Sequence, residues 1–342
     1  MQNIIAKIHL QNIQHNARVF RDRTGKPVCA VVKADAYGHG AIEVVNALES
    51  VVDLFAVALL SEAQAIQTAA CEKSVLVFTP PMTEEEVLFG AERGLIFSVT
   101  DYGVALLLSR TAQKHRLLVR VHLKVNTGMN RYGRSLQTLG KACKVLQENP
   151  FVQVEGLYSH LYGNTLAIAE EQRALFVRAI CVCRRYFPNV CCHLSATFGA
   201  LLGEEFTFDM TRIGLGLYGY LPVANGLPAL PLKKGMTVYA PVTATRKYVF
   251  GGAGYGERLQ TLPKDGRLYT LRVGYADGIL RKQDKDVCGG VCMDAWIREG
   301  KERKAKLLPV MTDAEEMAKV CDTIAYEVLC AITRRAMRVY EE

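Results

Sequence analysis

From residue 28 to about residue 215 the chain alternates short apolar runs with helical patterns, and this rhythm limits the possible fold more than any other feature. Residues 27–32 (PVCAVV) read as a buried strand, followed by a helix over Ala41–Leu48. The next strands are residues 52–59 and 74–78, separated by a helix that starts with Ser61 as N-cap and runs through residue 70. Thr83 and the three glutamates after it form an acidic first helical turn, and residues 95–99 precede a helix from Asp101 towards His115. Strands at 117–125 and 152–158 flank a helix over residues 136–147, and residues 170–186 form a long amphipathic helix. Strands without polar alternation need cover on both faces, which a parallel sheet ringed by helices provides. Sustained over this length, the pattern predicts a closed (β/α)8 TIM-like barrel, with an open doubly wound sheet as the alternative.

After Leu221 the rhythm breaks. Pro222, Gly226, Pro228 and Pro231 form a linker-like stretch, and residues 238–248 and 267–273 are rich in β-branched residues. These predict a smaller, mostly β C-terminal domain. The boundary falls near residue 228, giving domains 1–228 and 229–342, with residues 1–9 a strand that joins the second.

Composition narrows the class of function. The 42 basic and 34 acidic side chains leave a charge of +8, spread along the chain, which favours anionic small ligands. The densest basic cluster (Arg298, Lys301, Arg303, Lys304, Lys306) reads as a solvated face, so no nucleic-acid partner is expected. Eleven cysteines without paired CxxC spacing imply reduced thiols and a cytoplasmic location. Cys288 and Cys292 lack a matching His/Cys pair, so no metal is expected. The N-terminus has no long apolar core, and no run approaches the ~18 apolar residues of a membrane span.

The chemistry concentrates first in Val31-Val32-Lys33-Ala34-Asp35-Ala36-Tyr37-Gly38-His39-Gly40. A lysine at the carboxyl end of a buried strand is unusual, because an unpartnered buried ammonium is costly. Barrel active sites form at strand C-termini, and a desolvated lysine there becomes a Schiff-base former and general base. A lysine reaching past the strand end to water is the plainer reading of the segment alone. Gly214-Leu215-Gly216-Leu217-Tyr218-Gly219 satisfies GxGxxG, but it comes late in the alternating region. The next acidic residue is Glu257, too distant for a dinucleotide site.

The segment AVVKADAYGHG resembles the cofactor-lysine signature of the alanine racemase family, and the similarity continues along almost the whole chain. It includes residues 122–131 (HLKVNTGMNR), 156–160 (GLYSH), 209–214 (DMTRIG), 254–256 (GYG), 274–278 (GYADG) and 291–294 (VCMD). The resemblance implies a barrel followed by a β domain, pyridoxal 5'-phosphate as cofactor, a small amino-acid substrate, and a homodimer with shared active sites. Lys33 would carry the cofactor and act as base on one face of the substrate Cα. Tyr255, from the neighbouring subunit, would be the acid/base on the other, since inversion needs groups on opposite faces. Its unperturbed pKa near ~10 requires an electropositive setting.

The same resemblance assigns Arg212 to the pyridine nitrogen, with His193 behind it. A guanidinium keeps its proton, so the ring nitrogen stays unprotonated and the cofactor becomes a poorer electron sink, which favours racemisation over transamination. Arg131 would contact the cofactor's phenolic oxygen and the substrate carboxylate, steadied by Lys124, a lysine carbamylated in many members. His160 resembles the histidine packed near the pyridine ring, with a satisfied core histidine as the plainer reading. The phosphate would meet Tyr37, Tyr326, Thr197 and the backbone N–H groups of Gly214 and Leu215. Met293, Tyr275 and Asp294 would shape the substrate entrance from the partner.

The chain departs from the family at several points. Thr197 stands for serine with Ala196 beside it, Asn126 for aspartate and Gly290 for arginine, and the stretches between Tyr275 and Met293 and between Asp294 and Tyr326 are short. The implied activity is interconversion of L- and D-alanine, supplying D-alanine for bacterial cell-wall peptides. Residues 193–199 (HLSATFG) and the neighbourhood of Arg212 are similar to the vancomycin-resistance-type serine racemase branch, whereas Tyr326 favours alanine. Serine or broader-specificity racemisation, and a noncatalytic PLP-binding paralogue, are the alternatives.

Overall fold

The computed structural model describes residues 4–69, 72–163, 165–222, 226–247, 252–253, 260–261, 267–279, 281, 288–300 and 306–341. Tyr255 lies outside the described residues, as do Lys301, Arg303 and Lys304 of the basic cluster. The chain divides into two compact units. One is Ile13–Ala34 with Ala41–Lys233; the other is Met1–Asn12 with Asp35–Gly40 and Lys234–Glu342.

After β1 (Ile5–His9), which belongs to the second unit, come β2 (Val28–Val31), β3 (Leu54–Val57), β4 (Val75–Val77), β5 (Ile96–Val99), β6 (Val119–Lys124), β7 (Val152–Tyr158), β8 (Cys191–His193) and β9 (Thr211–Ile213). These eight form one sheet in the order β8-β7-β6-β5-β4-β3-β2-β9, every neighbouring pair parallel. Its two ends approach each other: Asp209 N donates to Cys192 O (2.9 Å) and Arg212 N to Ser195 O (2.9 Å). The result is the nearly closed (β/α)8 barrel, not the open doubly wound sheet. Every residue of β2 to β5 is buried, the property that made these runs legible.

Side-chain caps start several of the intervening helices. Thr83, Asp101 and Thr165 each accept from the backbone N–H three residues on, at 3.3, 2.9 and 3.4 Å. The helix expected over residues 170–186 therefore runs Leu166–Cys183, because Thr165 starts it. The helix expected from Ser61 to residue 70 is Leu60–Ile66, with Leu59 in the cap position. Leu59 has no capping oxygen; the Glu62 carboxylate instead accepts from Ala58 N (2.8 Å) and Leu59 N (3.0 Å).

One irregularity sets the barrel's interior. Between β6 and β7 the register passes from Val121↔Val154 to His122↔Gly156, leaving Glu155 as an extra residue. This bulge re-aims the side chains beyond it. A Cβ at Gly156 would lie 2.5 Å from the His122 ring, so Gly156 gives that imidazole its place. Gly156→Ala should cost about 1–3 kcal/mol by overpacking, read as a lower denaturation midpoint; an unchanged midpoint would show that the ring moves aside freely.

In the second unit, β10 (Met236–Lys247), β11 (Gly252–Ala253), β12 (Gln260–Thr261), β13 (Arg267–Leu271), β14 (Trp296–Glu299), β15 (Leu307–Met311) and β16 (Met337–Glu341) follow. The main sheet has the order β14-β13-β10-β1-β16, with β15 also paired to β10. β1 runs antiparallel to β10 and parallel to β16. The unit is mostly β, but Ala314–Cys321 and Ala325–Ile332 are helices that the β reading did not include. Among the described residues no helix is long and apolar enough to cross a membrane.

Candidate active site

The carboxyl ends of β6, β7 and β8 bring three polar side chains into one row. Lys124, Tyr158 and His193 are the last residues of their strands and pair in register, Lys124↔Tyr158 and Tyr158↔His193. The Tyr158 and His193 rings stack with centroids 5.0 Å apart and planes 3° from parallel. The Lys124 amine lies 4.3 Å from the centre of the Tyr158 ring. Ser98 donates to Val77 O (2.7 Å), so the phenol 2.6 Å from its oxygen is the donor in that pair. Burial pushes the Tyr158 phenol up to about 12 against the opposing Ser98 contact.

Arg212, in β9, is buried and its hydrogen bonds fix the protons of its neighbours. Nη1 lies 2.8 Å from His193 Nδ1 and 2.9 Å from His193 O. Nη2 donates to Ser159 O (2.6 Å) and Leu194 O (3.0 Å), with His160 Nδ1 at 3.5 Å. A guanidinium only donates, so His193 Nδ1 accepts and its proton sits on Nε2. That nitrogen is 3.0 Å from His122 Nδ1, which must therefore accept, placing the His122 proton on its own Nε2. The relay runs one way, from arginine through two neutral imidazoles. Burial first, then neighbouring arginines, hold His122 down to about 3 and His193 well below the usual imidazole value. Both Nη groups have all their protons engaged; Nε–H has no partner among the described residues.

His160 is likewise held neutral by burial and then by Arg212, Lys124, Arg131 and Lys33, in that order. Four basic side chains thus oppose a charge on this one imidazole. The Lys124 amine is driven well below its ordinary value by burial, then by Arg212 and Arg131. Arg131 is exposed, at the end of a loop shaped by Asn126, whose Oδ1 accepts from Gly128 N (2.9 Å) and Asn130 N (3.1 Å). The change from aspartate to asparagine keeps this capping. Thr197 is buried and accepts from Gly216 N (3.2 Å), beside the turn Leu215–Tyr218 that Gly214 opens. A Cβ at Gly216 would lie 2.4 Å from Phe20 and 3.0 Å from the Thr197 methyl.

Lys33 follows β2 and begins a helical turn, Lys33–Tyr37, of the uncommon hand: φ is 52°, 53°, 53° and 53° at Ala34, Asp35, Ala36 and Tyr37. Each such L-residue costs about 1–2 kcal/mol, so the turn must be held. Ala34 N donates to Glu62 Oε1 (2.7 Å), the same carboxylate that caps the helix Leu60–Ile66. In the second unit, buried His39 has Nδ1 2.9 Å from Ala36 O and 3.0 Å from Tyr37 O. Both partners are acceptors, so the proton sits on Nδ1; burial lowers the imidazole to about 4 and keeps it neutral. Arg338 pairs with Asp35 (2.6 Å) and donates to Gly38 O (2.9 Å).

The barrel therefore holds Lys33, Arg131, His160, Thr197, Arg212, Gly214 and Leu215. The second unit brings Tyr37 and Tyr326 together, ring centroids 5.8 Å apart, with both phenols kept protonated by burial. Met293 is also in that unit, 53% exposed. The sequence reading gave no role to His122, Tyr158, Ser98, Glu62 or His39. His122 had a signal, since it alternates with Lys124 on one face of a buried strand.

Two family models match the chain: "Alanine racemase, N-terminal domain" over residues 8–222 and "Alanine racemase, C-terminal domain" over residues 235–340. A protein of Treponema pallidum named alanine racemase is 31% identical, covering 98% of each chain. One of a Nostoc species is 28% identical over 99% of this chain and 96% of its own. A crystal structure of alanine racemase from Bartonella henselae with covalently bound pyridoxal phosphate has a TM-score of 0.86 at 26% identity, with both chains covered completely. An alanine racemase structure from Clostridium difficile has a TM-score of 0.90 at 24% identity, covering 99% of this chain and 96% of that one, and supports the fold. With models for both halves matched in order over nearly its whole length, this chain belongs to the alanine racemase family.

Proposed function

We propose that the protein interconverts L- and D-alanine with pyridoxal 5'-phosphate, and the observation that carries this is the Arg212 guanidinium buried behind neutral histidines with only Nε–H unengaged among the described residues. The donor set suits that cofactor. Lys33, Arg131 and Arg212 favour a phosphate, a phenolate and a carboxylate, and Thr197 adds a hydroxyl. Tyr37, Tyr326 and the Gly214 and Leu215 amides would complete the phosphate contacts, and His160 would flank the ring.

When bound, the cofactor supplies an electron sink conjugated to the substrate Cα. Lys33 Nζ takes the α-proton from one face, and Tyr255 Oη gives a proton to the other. Arg212 would hold the cofactor's ring nitrogen with a donor that keeps its own proton. Arg131 draws in the substrate carboxylate, and Met293 borders it. Lys124, whose amine burial shifts towards the uncharged form, would add carbon dioxide, and the resulting carbamate would pair with Arg131. Two copies would share each site, Tyr255 and Met293 coming from the partner, and the enzyme would act in the cytoplasm to supply D-alanine for cell-wall peptides.

The test is a chiral assay of alanine and serine with PLP-loaded protein, together with α-proton exchange in deuterated water. Alanine should be converted in preference to serine. Cofactor absorbance without exchange would replace this reading with a PLP-binding protein. Tyr255→Phe should slow racemisation by roughly 10²–10⁴-fold, the range of one acid/base group, and leave the absorbance intact; equal loss of both would make Tyr255 structural.

A further inference from the structure

In the second unit one arginine joins two loops. Arg335 Nε donates to Asp277 Oδ1 (2.7 Å) and Nη2 to Asp294 Oδ1 (2.8 Å). Asp277 is buried, and its other oxygen accepts from Gly274 N (2.8 Å), closing the turn Tyr275–Asp277. That turn lies against the loop bearing Asp294: Tyr275 N donates to Cys292 O (3.0 Å) and Ala276 N to Met293 O (3.1 Å). The approach is close enough that a Cβ at Gly274 would lie 2.2 Å from Met293 O. Tyr275 and Met293 remain 38% and 53% exposed, so their backbones, not their side chains, are fixed by packing.

We infer that Arg335 is a positioning residue for the substrate entrance, fixing where Tyr275 and Met293 stand by bridging Asp277 and Asp294. The inference rests on the racemase reading, in which those two side chains border the entrance. A fork of N–H donors suits this task. It spans two carboxylates in a set geometry, whereas an ammonium is a point charge on a flexible stem. Asp294 is exposed, and Arg335 adds a side-chain tie to the backbone hydrogen bonds that already join its loop to the turn.

The test compares wild type, Arg335→Ala, Arg335→Lys and Asp294→Asn as full-length, PLP-loaded proteins, well below their melting temperatures. Arg335→Ala should raise KM for L-alanine roughly 10- to 100-fold, the scale on which misplaced contacts act. Its kcat should change by less than about threefold. Arg335→Lys should recover part of the loss. Asp294→Asn keeps the Asp277 bridge, so it should fold normally and shift KM in the same direction by less. A readout independent of activity is the ε-¹³C-methyl spectrum of the methionines, assigned with Met293→Leu. The Met293 resonance should move and sharpen in Arg335→Ala and in Asp294→Asn. A racemising wild type whose variants keep both KM and the Met293 resonance overturns the inference alone. A wild type that does not racemise overturns the functional reading, and a moved Met293 resonance would still support the bridge as the device that fixes this loop.

Discussion

Lys33→Ala should lower alanine racemisation by about 10⁴-fold or more while leaving the barrel folded. Acid/base catalysis by one positioned group is worth roughly 10²–10⁴-fold, and this residue is assigned covalent attachment as well. The side chain is half-exposed at the end of a strand whose four residues are all buried, so its removal opens no cavity in the core. Circular dichroism and the denaturation midpoint should be close to wild type, whereas visible cofactor absorbance and deuterium exchange at the alanine Cα should be lost. A small primary amine in the buffer should restore part of the exchange, because the barrel would still supply its other cations. Undiminished exchange in Lys33→Ala would remove this lysine from the chemistry.

The second large effect should come from Arg212, and it should appear in stability as well as rate. Arg212→Leu deletes donors to Ser159 O, His193 O, Leu194 O and His193 Nδ1 together. An orphaned buried acceptor costs about 1–3 kcal/mol, and water admitted to the space would recover part of the sum. A net loss of roughly 3–5 kcal/mol is expected, as for other broken buried networks, read from denaturant unfolding. Racemisation should fall by about 10²-fold or more as Nε–H is lost and the histidine relay is no longer polarised in one direction. Arg212→Lys should recover some stability but little activity, since an ammonium cannot span these acceptors from one place. Wild-type stability in Arg212→Leu would mean that the network is not held by the guanidinium.

The barrel was legible because its strands are continuous apolar runs separated by helices with ordinary start signals. The helix Leu136–Gln147 falls where the residues place it. Where Glu62 caps from inside its helix, the neighbouring Ser61 misled the reading. The helix Ala325–Ile332 carries its own pattern, with Ala325, Val328, Leu329 and Ile332 buried at helical spacing. The β pattern of residues 238–248 and 267–273 does not extend to it. The cationic members of the site were legible through the family resemblance and the chemistry of lysine and arginine at strand ends. The relay through His193 to His122 was not. It depends on a bulge at Glu155 that shifts one strand against the next, and pairing register is a property of two strands together. The left-handed hand of residues 34–37 was also hidden, because alanine, aspartate and tyrosine give no local reason for it.

That hand determines more than strain. A short left-handed turn acts as a chiral spacer: successive side chains leave it in the mirror sense to an ordinary helical turn. If the same letters relaxed into the common hand, every side chain would survive and the directions in which they leave the backbone would not. Glu62, His39 and Arg338 guard a stereochemical choice in the backbone itself.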